Sequence, residues 1–272
     1  MLSKLIKQVI PPIFWKLFAM VYHKKSQPIW SGNYLSWNEA KSHCSGYDDG
    51  VILEKCKNAL LKVKKGEEVY ERDSVIFDQI QYSWGLLAGL QKAAIQNENN
   101  LCVLDFGGSL GSSYYQNIKF LKSDINVVWC IVEQQNFVEC GKQHFGSNEL
   151  KFYYSVEECI KQHRPTVLLI SSVLQYLENP YDWIDKFSSL DIEYIIIDRT
   201  AFTLNETDIL TVQNVPDTIY SASYPAWFFS RNKFLKSWSE YKILASFDSG
   251  YTPPILLNGL TNVFWDGLIL KK

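Results

Sequence analysis

A glycine-rich loop holds the residues whose types and spacing best suit binding chemistry. The segment 103–113 reads VLDFGGSLGSS, an apolar run that carries Asp105 and leads into Gly107, Gly108 and Gly111. Glycines let a backbone pass close beneath a ligand, and a helix N-terminus offers N–H groups without intrahelical partners. An apolar strand followed by such a loop and a helix predicts a nucleotide-like ligand at the carboxyl end of the strand.

An acidic residue occupies the matching position after the next apolar run. Glu133 follows the run 127–132 and stands 28 positions after Asp105. A carboxylate at this place can accept hydrogen bonds from both hydroxyls of a ribose. The loop and the acid together therefore indicate a cofactor that contains a nucleoside.

Two cofactors compete for this pattern. A dinucleotide site requires G-x-G-x-x-G, which the order of Gly107, Gly108, Ser109 and Gly111 does not supply. Asp105, two positions before the first glycine, suits the cationic amino acid portion of S-adenosylmethionine. The residues favour S-adenosylmethionine over a nicotinamide dinucleotide, and a tight glycine turn without a ligand is the third alternative.

The chain from residue 100 onward predicts the sheet that must position this loop. Short runs rich in Val, Ile and Tyr alternate with segments long enough for a helix, and they are Leu101–Phe106, Val127–Val132, Lys151–Tyr154, Thr166–Ile170 and Tyr194–Ile197. Such alternation predicts a doubly wound α/β fold, Rossmann-like, with a mostly parallel sheet and helices on both faces. The runs 242–247 and 261–270 can close the sheet, with an antiparallel last strand as one option.

We divide the chain into three regions. Residues 1–29 are predicted to form basic amphipathic helices, 30–99 a helical extension that needs no strand, and 100–272 the catalytic domain, with an aromatic insertion at 202–241. A hydrophobic fraction of 47% is enough for a large core, and a net charge of -2 argues against a polyanion as partner. Six cysteines without a C-x-x-C pair favour reduced thiols in the cytoplasm and no metal site.

The N-terminal region has an uneven charge. The first 38 residues of the chain contain five lysines and no acid, and apolar residues recur at helical spacing on both sides of Pro11 and Pro12. The apolar stretches are too short to span a bilayer. The apolar side chains of residues 1–25 could be buried in two ways. They could contact the cytoplasmic face of a membrane peripherally, or they could pack on protein, either the main domain or the second subunit of a homodimer.

Polar residues follow the fourth and fifth predicted strands. Asp198 could act as a base for a hydroxyl acceptor, and Arg199 could hold a phosphate or carboxylate. Ser171 is expected to contact the cofactor and Tyr176 the reacting groups. The alternatives are an Asp-Arg pair that braces the strand end and a serine that caps a helix.

Two segments outside the sheet are candidates for covering the site. Arg72 lies in the charged run 70–74, which could form a lid or simply cap a helix. Tyr224 and Trp227 flank a proline in the insertion and could stack on sugar rings, or else close the core or a dimer contact. No basic stripe accompanies these aromatic residues, so nucleic acid is not the expected ligand.

Six motifs are spread along most of the chain: YERDS at 70–74, LDFGGSLGS at 104–112, VEQ at 132–134, SSVLQYL at 171–177, IDRT at 197–200 and SYPAW at 223–227. Together they resemble a family of class I methyltransferases encoded in bacterial O-antigen, capsule and other surface-polysaccharide loci. The resemblance runs from Trp30 to about Phe229. It implies a seven-stranded sheet with S-adenosylmethionine at the carboxyl ends of the first strands.

The resemblance also implies roles for residues of the loop and the second strand. Asp105 and the three glycines of the loop would line the amino acid end of the cofactor, Glu133 would hold its ribose, and Gln134 would lie beside the adenine. Ser109 stands where the general class more often has glycine, and it agrees with the narrower family.

We therefore expect a methyltransferase that uses S-adenosylmethionine to O-methylate a sugar, as a small molecule or linked to a lipid, in surface-polysaccharide biosynthesis. Two alternatives stay open: an NAD(P)-dependent sugar-nucleotide epimerase or dehydratase, and a binding module with the same fold and no turnover.

Overall fold

The computed structural model describes residues 29–46, 49–215, 222–249 and 263–272. The predicted basic helices at 1–29 lie outside the described residues apart from Ile29, so their contact with membrane or protein stays a prediction. Among the helices that the structure describes, none combines the length and the apolar composition needed to cross a bilayer.

Strands and helices alternate along most of the described chain. The strands are β1 (Trp30–Ser31), β2 (Tyr70–Arg72), β3 (Val75–Phe77), β4 (Asn100–Phe106), β5 (Asn126–Val132), β6 (Leu150–Tyr153), β7 (Val167–Ser171), β8 (Tyr194–Thr203), β9 (Ile209–Val215), β10 (Ala222–Ser230), β11 (Lys242–Asp248) and β12 (Val263–Lys271). The helices are α1 (Trp37–Ser42), α2 (Asp49–Lys65), α3 (Trp84–Gln96), α4 (Ser112–Leu121), α5 (Gln135–His144), α6 (Val156–Gln162), α7 (Pro180–Ser188) and α8 (Arg231–Lys236), with a 3₁₀ turn at Leu174–Tyr176.

Seven neighbouring strands form the part of the sheet that positions the loop. Five of them, in the order β6-β5-β4-β7-β8, are parallel, and β12 pairs antiparallel with β8 while β11 pairs antiparallel with β12. If these seven strands are numbered 1 to 7 along the chain, from β4 to β12, their order in the sheet is 3-2-1-4-5-7-6. The predicted parallel α/β sheet is confirmed, and the last strand takes the antiparallel option.

The whole sheet has ten strands, and the seven described above are roughly consistent with the predicted count. The three further strands are β10, β9 and β1, which extend the sheet from one edge of β8. β7 pairs with β8 only as far as Asp198, and β8 continues to Thr203. Phe229 and Ser230 of β10 pair with the part of β8 beyond β7. A strand edge without a partner offers unpaired N–H and C=O groups, and here the aromatic insertion supplies the partner.

The region 30–99 also contains strands, although none was expected there. β1 pairs with β9, and β2 pairs with β3 in a hairpin. Its two turn residues, Asp73 and Ser74, have φ of 52° and 67°, as tight hairpin turns require. The domain boundaries at 29 and 99 stay a prediction.

The core lies on both faces of the parallel strands. Alternate side chains of each strand point to opposite faces: Val103 and Leu169 pack with residues of α3, α4 and α5, whereas Leu104 and Leu168 pack with α6, α7 and α8. Both faces are thus covered by helices, as predicted. The carboxyl edge of the strands, where β4 ends in the glycine loop, is the place left for a ligand.

Candidate functional site

Three adjoining cavities lie along the carboxyl ends of β4, β5, β7 and β8. Cavity A, of about 570 Å³, is lined by Gln134 and Tyr176 among others. Cavity B, of about 190 Å³, contains Asp105 and the glycine loop, and cavity C, of about 310 Å³, contains Asp198. Cavities A and B share Gly107 of the loop and Glu133, and cavities B and C share Arg72 and Arg199. All the predicted site residues except Gly111 and Trp227 therefore line one continuous cleft.

The loop requires glycine at two positions for different reasons. Gly107 turns the chain with φ of 70°, and its N–H donates to Val132 O at 2.9 Å, which ties the loop to β5. A Cβ on Gly108 would lie 2.6 Å from the carboxyl carbon of Asp105. A larger residue at 108 would therefore displace the carboxylate from beneath the loop. Gly111, with φ of 110°, directly precedes α4.

Asp105 is buried and faces cavity B. Its Oδ2 accepts a hydrogen bond from Trp129 Nε1 at 2.9 Å. Burial raises the pKa of Asp105 to about 7, and the Trp129 hydrogen bond opposes that rise. A cationic group that enters cavity B would stabilise the ionised form of this carboxyl group.

Glu133 faces both cavity A and cavity B. Its Oε1 accepts from the Ser109 N–H at 3.2 Å, and its Oε2 accepts from the Gln134 N–H at 2.7 Å. Burial raises the pKa of Glu133, and these two backbone hydrogen bonds lower it. An ionised carboxylate has about four lone-pair sites, so each oxygen can also accept from a ligand hydroxyl.

Cavity A continues from Glu133 toward α6. Gln134 lines it at the start of α5, together with Phe137, Tyr154 and Val156. The apolar and aromatic members of this lining, with the Gln134 amide beside them, suit a flat heterocycle, which needs van der Waals contact on its faces and few hydrogen bonds at its edge.

Asp198 ends the part of β8 that pairs with β7, and Arg199 follows it. Asp198 is buried; its Oδ1 accepts from Ser83 Oγ at 3.1 Å, and its Oδ2 accepts from Ser171 Oγ at 3.2 Å. Burial raises the pKa of Asp198, and the Arg199 guanidinium 3.7 Å away lowers it. Arg199 adopts a φ of 49°, a backbone conformation that costs about 1 to 3 kcal/mol for a non-glycine residue. Ser171 connects cavities B and C: it lines cavity B, and its hydroxyl donates to Asp198, which lines cavity C.

The structure brings one of the two predicted aromatic residues of the insertion to the cleft. Tyr224 lines cavity A, where its ring lies 5.2 Å from that of Tyr176 in an edge-to-face arrangement. The Tyr176 hydroxyl donates to Gln213 Oε1 at 3.0 Å. Trp227 lines none of the three cavities; its Nε1 donates to Leu177 O at 3.0 Å, and its ring stacks on Trp37.

The hairpin β2–β3 also reaches the cleft. Arg72 lines cavities B and C, and its guanidinium lies 5.2 Å from the centre of the Phe77 ring. Glu71, which we did not single out from the sequence, is buried; it accepts from Ser74 N–H at 2.8 Å and from Ser112 Oγ at 2.6 Å. Burial raises the pKa of Glu71 to about 7. Its place in the charged run 70–74 was the available sequence signal.

One group of described side chains outside the cleft has the donor types of a metal site. Cys102, Cys130 and His163 bring their ligand atoms within 4.8 Å of one another, and the His163 Nε2 bonds the Tyr153 hydroxyl at 2.7 Å. We expected no metal, and this grouping was not visible because its members are distant in sequence. None of the three lines cavity A, B or C, so the cleft is built without them.

Comparison with known proteins gives matches only among solved structures. No family model matches the chain, and no curated protein sequence matches it. The N-terminal domain of EvdMO1, solved in the presence of SAH and D-fucose, matches with a TM-score of 0.47 and 10% identity over 79% of this chain and 96% of that one. Human N-acetylserotonin methyltransferase in complex with SAM matches with a TM-score of 0.47 and 10% identity over 83% of this chain and 56% of that one. Magnesium protoporphyrin IX methyltransferase from Synechocystis PCC 6803, with bound SAM, matches with a TM-score of 0.43 and 13% identity over 84% of this chain and 99% of that one.

Proposed function

We propose that the protein is a methyltransferase that uses S-adenosylmethionine. The observation that carries the proposal is the meeting of Asp105, the glycine loop and Glu133 in one cleft at the carboxyl ends of β4 and β5. Asp105 and the loop would hold the cationic amino acid portion, Glu133 the ribose hydroxyls, and Gln134 with Phe137 the adenine.

The charges of cavity B favour this cofactor over a dinucleotide. Four carboxylates line the cavity, and they are Glu71, Asp73, Asp105 and Glu133. A pyrophosphate bound at the start of α4 would lie beside these carboxylates, whereas a sulfonium and an ammonium group would be attracted to them. The antiparallel β12 between β8 and β11 also departs from the parallel order of dinucleotide-binding sheets.

The bound cofactor would supply a methyl group on a positively charged sulfur. The protein must then align an acceptor atom with that group and remove water, because alignment is the main contribution to a displacement of this type. Tyr176 and Tyr224 would form one wall for the acceptor in cavity A. Asp198 is our candidate for the base; since its Oδ2 already accepts from Ser171 Oγ, a proton would reach it through that hydroxyl.

We propose a sugar hydroxyl as the methylated group, in an acceptor that is a small molecule or is linked to a lipid, and surface-polysaccharide assembly as the setting. The aromatic pair in cavity A and the hydrogen-bonding side chains of cavity C support a polyhydroxylated acceptor. Peripheral membrane contact through residues 1–25, location in the cytoplasm and a homodimer belong to the same proposal.

The test is isothermal titration calorimetry with S-adenosylhomocysteine on the wild type and on Asp105→Ala and Glu133→Ala. We expect micromolar binding to the wild type and at least about tenfold weaker binding to both variants, the effect of losing a charge-assisted hydrogen bond. Asp124→Ala, which removes an exposed carboxylate before the amino end of β5, is the matched control and should bind as the wild type does.

Three results would count against the proposal. Binding of NAD without binding of S-adenosylhomocysteine would support the epimerase or dehydratase alternative. A folded wild type that binds neither ligand would contradict the cofactor site. Tight cofactor binding with no methylation of any sugar from the native pathway would instead support a binding module without turnover.

A further inference from the structure

Cavity C differs from cavity B in the charges that line it. Arg72 and Arg199 stand at the border and line both cavities. The four carboxylates of cavity B lie on one side of these arginines, whereas Asp198 is the one carboxylate among the described residues that line cavity C. The rest of the lining is neutral and polar or aromatic, with Tyr70, Ser83 and Gln116 among its members. The cleft is therefore divided into a cation-attracting part and a part that favours an anion.

The Arg72 guanidinium has no ionic partner among the described residues. No carboxylate oxygen of that part of the chain lies within 4.0 Å of it, and the guanidinium lies 5.2 Å from the centre of the Phe77 ring. A half-buried guanidinium without an anion is unusual, because a cation removed from water needs either a counter-charge or solvent. Its position on the cavity wall leaves its N–H donors available to a ligand.

Arg199 is held in place by its neighbours without using all its donors. Its carboxylate contacts, Nη1 to Asp73 and Nε to Asp198, are both 3.7 Å, which is longer than a hydrogen bond. Nε and Nη2 donate to Ser171 Oγ at 3.4 and 3.3 Å. The left-handed backbone of Arg199, with φ of 49°, turns its side chain to this border, and strain of this kind is typical of functional sites.

We propose that cavity C binds an oxyanion group of the methyl acceptor, a phosphate or a carboxylate, between Arg72 and Arg199; this inference rests on the proposed function. Two planar guanidinium groups on separate elements, β2 and β8, can each donate to two oxygens of such a group. The acceptor would then lie with its anionic end in cavity C and the atom to be methylated nearer cavity A.

The experiment is calorimetry of inorganic phosphate, and separately of acetate, against the full-length protein saturated with S-adenosylhomocysteine at constant ionic strength. We expect one of the two anions to bind and Arg72→Gln to weaken that binding at least about tenfold, since a charge-assisted hydrogen bond is lost. The anion that binds identifies the group as phosphate or carboxylate. Arg164→Gln, the same change at an exposed arginine before β7, is the matched control and should leave binding unchanged.

A second variant guards against misfolding. Arg199→Lys keeps the charge and loses the fork of donors, so it should weaken anion binding less than Arg199→Gln does, with both variants checked by their thermal unfolding midpoints. The proposal is overturned if neither anion binds, or if Arg72→Gln and Arg164→Gln behave alike.

Failure of this proposal and failure of the cofactor proposal are distinguishable in the same samples. Binding of S-adenosylhomocysteine without anion binding removes the oxyanion site and leaves the cofactor site standing. Anion binding that depends on Arg72, in protein that does not bind S-adenosylhomocysteine, removes the cofactor site and leaves the oxyanion site standing.

Discussion

At the scale of single residues, the cleft depends on one close approach. Gly108 lies directly over the Asp105 carboxyl group, so that a Cβ at 108 would stand 2.6 Å from the carboxyl carbon. The loop residue and the buried acid are therefore coupled, and neither can be changed without affecting the other.

This coupling predicts a non-additive effect of two substitutions. Gly108→Ala should lower the free energy of unfolding by about 1 to 3 kcal/mol, the cost of an extra methyl group in a packed site. In an Asp105→Ala background the same change should cost at least about 1 kcal/mol less, because the carboxyl group is gone. Urea denaturation of the two single variants and the double variant measures the difference; strictly additive losses would show that the two residues do not meet.

At the scale of elements, the hairpin β2–β3 is attached to α4 through Ser112. The Ser112 hydroxyl donates to Glu71 Oε2 at 2.6 Å, and this hydrogen bond lowers a pKa that burial has raised. Ser112→Ala should lower the free energy of unfolding by about 1.5 to 3 kcal/mol, since a buried carboxyl group loses a charge-assisted bond. Amide hydrogen exchange at residues 70–77, the hairpin, should be faster in Ser112→Ala than in the wild type. Ser113→Ala is the control, and equal exchange in the two variants would refute this attachment.

The hairpin β9–β10 is fixed to the 3₁₀ turn by Trp227. Because Trp227 bonds Leu177 O and stacks on Trp37, Trp227→Ala should lower the free energy of unfolding by about 2 to 4 kcal/mol. Affinity for S-adenosylhomocysteine should stay within about threefold of wild type, which is less than one hydrogen bond is worth. Trp84→Ala, at a side chain that is 64% exposed, should cost far less stability. A large loss of cofactor affinity in Trp227→Ala would mean that this residue belongs to the site.

The same elements show what could and could not be predicted from the sequence. The runs that became β4, β5 and β7 were identifiable because each is locally apolar on both faces, and the loop at Gly107 followed directly. The extension of the sheet by β10 could not be identified in this way. It depends on the edge of β8 that β7 leaves unpaired beyond Asp198, and that edge follows from how two segments distant in sequence pair.

The site follows the same division. Asp105 and Glu133 could be predicted from their places at strand ends, whereas the role of Glu71 depends on a hairpin folding back onto Ser112. Tyr224 and Trp227 have similar sequence surroundings, and only the pairing of β10 decides that Tyr224 faces the cleft while Trp227 faces Leu177 and Trp37.

At the scale of the whole molecule, buried acids in the cleft link stability to pH. The pKa of Asp105 rises from 3.8 to about 7 and that of Glu71 from 4.5 to about 7, in both cases chiefly through burial. The folded state therefore binds more protons than the unfolded state between these values, so the free energy of unfolding falls as pH rises from about 4 to about 7. Each group contributes on the order of 1.4 kcal/mol per pH unit within that window.

The pH dependence can be assigned with Asp105→Asn, which cannot titrate. Chemical denaturation at intervals between pH 5 and pH 8 should give a shallower fall in stability for this variant than for the wild type. Asp124→Asn, an exposed change, should keep the wild-type slope. Parallel curves for wild type and Asp105→Asn would mean that Asp105 is ionised throughout this range.

The central claim is that Glu133 holds the ribose of an adenosyl cofactor at the glycine loop, and a cycle of ligand and protein changes tests it most directly. Calorimetry would compare S-adenosylhomocysteine with its 2′-deoxy analogue on the wild type and on Glu133→Gln. We predict that loss of the ribose 2′-hydroxyl weakens binding to the wild type by at least about tenfold. In Glu133→Gln the same loss should weaken binding by no more than about threefold, because the carboxylate that accepts from this hydroxyl has already been replaced. Equal losses on the two proteins would contradict the account, since the ribose would then lie away from Glu133.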